Sequence, residues 1–209
     1  MIKMHKYYLL ALFNGIVHKL YDDLYDNNLY EYFNIKLEHK GYVNELLKCL
    51  FGISFTILSL KYPFFLIIFI ILNVILYFLD KSAYGAYELS GLISSFIIIP
   101  FVDFSFDNKI YDYLLIIIMM ISYYIIEKLF FINIEYSSKK LYIRTLISIV
   151  LTCILLLNNY YNTFSNNIII CLLFALGYMI TSCIFQIILL NKNKDKNNDK
   201  NNYSNKIIV

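Results

Sequence analysis

Tryptophan is absent from this chain, proline occurs twice and glycine six times, and only 16% of the 209 residues are charged. With 60% hydrophobic residues and a mean hydropathy of +0.62, that scarcity of charge excludes an ordinary water-soluble domain. The four cysteines, Cys49, Cys153, Cys171 and Cys183, lie in or beside apolar runs and include no Cys-x-x-Cys pair. They read as reduced packing residues, which argues against a disulfide framework or a thiolate metal centre. No small-residue cleavage site follows the first residues, so no cleavable signal peptide is expected. Heavy use of Ile, Asn and Lys points to AT-rich coding, and the abundance of Tyr (21) and Phe (17) is therefore discounted as a sign of an aromatic-lined site.

What the chain does have is a series of long apolar segments broken by short polar ones. They predict an all-α, multi-pass transmembrane bundle of about seven spans, at 7–17, 43–60, 62–79, 84–102, 113–131, 141–157 and 168–190. The Lys61-Tyr62-Pro63 break marks a tight turn, with Pro63 in a first helical turn where its missing N–H costs nothing. Gly91, Ser94 and Ser95 permit close helix packing in the fourth span. Residues 1–190 form the membrane domain, and the Asn/Lys-rich tail 191–209, with almost nothing to bury, is expected to be disordered. Fourteen of the 18 basic residues fall on the side that carries the polar clusters 18–26, 77–88 and 133–144 and the tail. That side should be cytosolic and the N-terminus opposite. Membrane lipid is an expected partner, and nucleic acid is not.

The first polar cluster places His18, Asp22 and Asp26 four residues apart. Four residues advance only about 40° around a helix, so the three share a face and form a ridge. Two carboxylates that close repel each other, and at the end of a membrane helix they make most sense beside a divalent cation or a cationic partner. The plainer reading is a solvated, acidic helix terminus. A His-carboxylate set also suits Fe, Mn or Zn, but no second histidine lies on the same face of a span. Asp103, Asp107 and Asp112 fall on the opposite face in this topology and read as a solvated turn.

The run His18-Lys-Leu-Tyr-Asp22-Asp-Leu-Tyr-Asp26 resembles the first motif of the UbiA family of intramembrane prenyltransferases, Asn-Asp-x-x-Asp-x-x-x-Asp at a helix end. Asp22 and Asp26 match the two metal-binding aspartates, whereas His18 stands for the family's Asn and Lys19 for its usual Asp. The family's Tyr-x-x-x-Lys after two further spans is matched in sequence and order by Tyr77-Phe-Leu-Asp80-Lys81. A third element, a basic stretch with Arg-Thr-Leu, is matched by Lys139-Lys140-Leu-Tyr-Ile-Arg144-Thr145-Leu146, but its two aspartates fall on Ile134 and Ser138. Glu135 is the nearest acid, with Glu127 a more distant one. Family members usually have nine spans, so the chain resembles a shortened core.

The resemblance implies Mg²⁺-dependent transfer of a prenyl group from a polyprenyl diphosphate to an unknown acceptor. Asp22, Asp26 and Glu135 would hold Mg²⁺, with Asp22, Asp26 and Lys81 as the catalytic set. His18, Tyr77, Lys139, Lys140 and Arg144 would bind substrate, the cations holding the diphosphate as it leaves. The alternative is a non-catalytic relative that keeps the fold and binds lipid diphosphate or has a structural role, because half of the expected metal site is lost.

Overall fold

The structure, a computed structural model, describes residues 2–26, 30, 33, 35–79, 96–102, 114, 118, 138–161 and 164–206. Over these residues the chain is helical, with no strand: α1 (Ile2–Asp26), α2 (Leu37–Lys61), α3 (Pro63–Leu79), a 3₁₀ turn (Ile99–Phe101), α4 (Ser138–Tyr161) and α5 (Asn166–Lys206). Three helices carry stretches long and apolar enough to cross a membrane, Glu38–Lys61, Leu141–Asn158 and Asn166–Asn191. The predicted fourth and fifth spans lie largely outside the described residues. The break between α2 and α3 falls on Tyr62, whose N–H donates to the Leu58 carbonyl at 2.7 Å, and Pro63 opens α3 as expected. At the far end α5 continues as helix to Lys206, through the segment for which composition predicts a disordered tail. A helix satisfies its own backbone hydrogen bonds, so it continues there without an apolar stretch to bury.

Helix directions follow from the pairs that meet. Tyr8 donates to Asn166, Gly15 abuts Phe174, and Asp22 meets Tyr178, so α1 and α5 run parallel. Asn14 meets Phe51 and Ser54 while Tyr7 meets Tyr62, so α2 runs antiparallel to α1. Phe65 and Phe69 pack on Phe55, and Phe69 also on Phe51, which turns α3 back again, and α4 and α5 form a hairpin in which Thr145 and Ser148 reach Cys183. The consequence is geometric. The C-terminal ends of α1 and α3 and the N-terminal ends of α2 and α4 all lie at one end of the bundle.

The tightest packing is between α1 and α5. A Cβ on Gly15 would run into the Phe174 carbonyl oxygen, and one on Gly177 into the Leu12 carbonyl oxygen, so the two backbones touch where neither helix has a side chain. Beside this contact, Asn14 is fully buried and its amide donates to the Phe51 carbonyl (3.1 Å) and the Ser54 hydroxyl (2.6 Å), clasping α1 to α2. Around both lies an aromatic core of Phe51, Phe55, Phe65, Phe69 and Phe174, with ring centroids 4.6 to 6.1 Å apart. On the outside of α2, Ile53, Ile57 and Leu60 make an exposed apolar stripe that suits a lipid surround.

Substituting Gly15→Ala or Gly177→Ala should force the helices apart and cost about 1 to 3 kcal/mol, the usual scale of overpacking. Thermal unfolding in detergent measures it, with Gly52→Ala, where an added Cβ meets nothing within 4 Å, as the neutral control.

Candidate functional site

The α1 ridge lies at the end of the bundle where four helix termini gather. His18 is half-enclosed, its ring set edge-on or tilted against Phe51 (5.2 Å), Tyr178 (5.6 Å) and Phe174 (5.8 Å). One residue on, the Lys19 ammonium is 2.8 Å from Asp22 Oδ2 and lies 5.0 Å from the centre of the Tyr178 ring. The Tyr178 hydroxyl donates to the same oxygen at 3.2 Å. The Lys19 side chain is only 7% exposed, whereas Asp22 is 33% exposed and keeps an open side. Lys19 and Asp22 are three apart on one helix, so their pairing forms whenever α1 forms, and Tyr178 fastens it to α5.

The Mg²⁺ that the resemblance implies does not fit Asp22 as it is arranged. Mg²⁺ demands oxygen ligands at about 2.0 to 2.1 Å in octahedral geometry. Here Oδ2 already accepts from an ammonium and a phenol, and a dication on it would sit directly against the Lys19 charge. Among the described residues no group of three or more His, Cys, Asp or Glu side chains is placed to hold a metal ion.

Of the other expected site residues, Arg144 is buried near the start of α4, and Lys139 and Lys140 stand on the first turn of that helix. Asp26 ends α1 and Tyr77 lies in the last turn of α3; for these two, as for Lys139 and Lys140, the backbone position is what is described. Lys81 and Glu135 lie outside the described residues. The structure thus gathers the helix ends that carry Asp22, Asp26, Tyr77, Lys139, Lys140 and Arg144, and the partners it gives Asp22 are Lys19 and Tyr178.

Tyr178 and Gly15 are the residues that sequence reasoning passes over. Tyr178 sits in an apolar run as one of many tyrosines, and the signal that finds it is spatial, the parallel passage of α5 along α1. Lys19 is visible as a departure from the resembled motif, without its consequence. On the face of α5 that turns away from Tyr178, α4 and α5 enclose a groove of about 420 Å³ lined by Thr145, Ser148, Thr152, Ile180, Cys183 and Ile184 among others. Its three hydroxyls donate to carbonyls of their own helix, at Leu141, Arg144 and Ser148, so they spend their donors inside α4 and the groove offers mainly methyl groups.

No protein-family model, no curated protein and no solved structure matches this chain.

Removing the Tyr178 hydroxyl (Tyr178→Phe) should cost about 0.5 to 1.5 kcal/mol of stability, one hydrogen bond. Asp22→Asn should cost more, about 1 to 3 kcal/mol, because it strips a charge partner from an enclosed ammonium. Adding Lys19→Met to Asp22→Asn should recover part of that loss, since the charge left behind is then removed as well. Melting temperatures of the three variants check the order.

Proposed function

We propose that the chain is a UbiA-like integral membrane protein that takes up a polyprenyl diphosphate at the end of the bundle where the α1 ridge lies, and that it does so as a non-catalytic relative. The observation that carries this reading is the convergence of helix ends there. The basic start of α4, with Lys139, Lys140 and Arg144, comes to the same end as Asp22 and Tyr77, and the apolar groove lies between that helix and α5. A diphosphate needs cations, and an isoprenoid tail needs methyl-lined space that asks for no hydrogen bonds. Both lie within one hairpin.

The seven-span arrangement with a cytosolic ridge and tail belongs to the same proposal, supported by the placement of basic residues and by the alternation of helix directions. Prenyl transfer with Mg²⁺ at Asp22 and Asp26 is the catalytic form of the reading. It requires Asp22 to give up Lys19, and this arrangement favours the non-catalytic form.

Two measurements test the proposal. In a chain with its native cysteines replaced, single cysteines at the exposed positions Gly41 and Tyr142 should be labelled by an impermeant maleimide from one side of a sealed vesicle, and one at Lys61 from the other. Labelling Gly41→Cys and Tyr142→Cys from opposite sides would break the shared end. Purified protein given labelled prenyl diphosphates of graded length, with and without Mg²⁺, should bind them and release no diphosphate. Mg²⁺-dependent release would establish the transferase, and no binding of any length would leave only a structural role.

A further inference from the structure

We propose that the Lys19 ammonium is the resident cation of the helix-end cluster, holding at Asp22 the place a divalent ion would take. The choice of diphosphate as the ligand rests on the reading above, whereas the role of Lys19 stands on its own geometry. The ammonium lies 2.8 Å from Asp22 Oδ2 and 5.0 Å from the centre of the Tyr178 ring, on a side chain that is only 7% exposed. An ammonium over an aromatic face and against a carboxylate is stabilised twice by the same short reach. Displacing it with Mg²⁺ or Mn²⁺ would have to break both contacts and move a long side chain out of an enclosed position.

The position of Lys19 makes the substitution local. Three residues before Asp22 on α1, it presents its charge on the Asp22 face without help from any other helix. Tyr178 then supplies the specificity, because its hydroxyl takes the oxygen that Lys19 already binds and its ring lies beneath the ammonium. A carboxylate neutralised in this way no longer attracts a dication with its full charge. Its exposed side remains available to water or to a hydrogen-bond donor on a ligand.

Mn²⁺ alone, titrated into the full-length protein in detergent and followed by the loss of its free-ion electron paramagnetic resonance signal, tests the role of Lys19 without any lipid. The wild type should show no binding that Asp22→Asn removes. Lys19→Asp, which places a second carboxylate where the ammonium stands, should bind Mn²⁺ at least about tenfold more tightly than wild type, since ligand charge count tunes such sites. Adding Asp22→Asn to it should abolish the gain. If Lys19→Asp does not fold, Lys19→Met carries the test, because freeing Asp22 should still raise Mn²⁺ affinity. Wild-type binding that depends on Asp22, or no gain in a folded Lys19 variant, overturns the proposal. The diphosphate reading fails separately, when prenyl diphosphate does not bind although the Mn²⁺ results are as expected.

Discussion

The rest of the described structure depends on the direct backbone contact between α1 and α5. In a bilayer the lipid is as apolar as leucine, so helices gain little by burying hydrophobic side chains against each other and must associate through close packing and hydrogen bonds. Gly15 and Gly177 supply the close approach, each leaving room for a carbonyl of the opposite helix. With the separation and the parallel direction fixed there, Tyr178 arrives one turn beyond Gly15's partner Phe174 and meets Asp22. The enclosure of His18 by Phe51, Phe174 and Tyr178 follows from the same approach, since two of those rings come from α5.

The contact also explains how α1 has a place in the bundle. Its ends carry Lys3, Lys6, Lys19, Asp22, Asp23 and Asp26, and it is not among the helices apolar enough to cross a membrane by composition. It is held between α2 and α5, by the Asn14 clasp on one side and the glycine contact on the other. The Asn14 NH₂ group would find no acceptor in hydrocarbon, and docking against α2 gives it the Phe51 carbonyl and the Ser54 hydroxyl. The polar ends of α1 are thereby tolerated. The partly enclosed charges Lys19 and Asp22 compensate each other within a single turn.

Much of the architecture was legible in the sequence because its cues are periodic or local. The spacing of His18, Asp22 and Asp26 marks one face of a helix, the Lys61-Tyr62-Pro63 break appears as the turn between α2 and α3, and polar clusters separated by two apolar segments imply a shared end. Helix directions bring the described ends of those clusters to one end of the bundle. What was not legible is pairwise and remote. Nothing in the neighbourhood of Gly15 or of Gly177 says that the other exists, and an isolated glycine in an apolar run has several equally ordinary explanations. Tyr178 is hidden likewise, because a tyrosine in a membrane helix reads first as an interfacial anchor.

The charge pattern at the ridge end separates two kinds of site that composition cannot distinguish. A cluster that uses a metal must leave its carboxylates short of cations until the ion arrives, and the repulsion between them is what makes the ion bind. Here the first carboxylate of the ridge is met by a lysine of its own helix at hydrogen-bond distance and by a phenol from the neighbouring helix, so that repulsion is already relieved. Asp26 follows Asp22 by one turn and receives no such local cation three residues before it, where Asp23 stands. The tip of α1 lies at the end of the bundle where α4 begins, with Lys139, Lys140 and Arg144 in its first two turns.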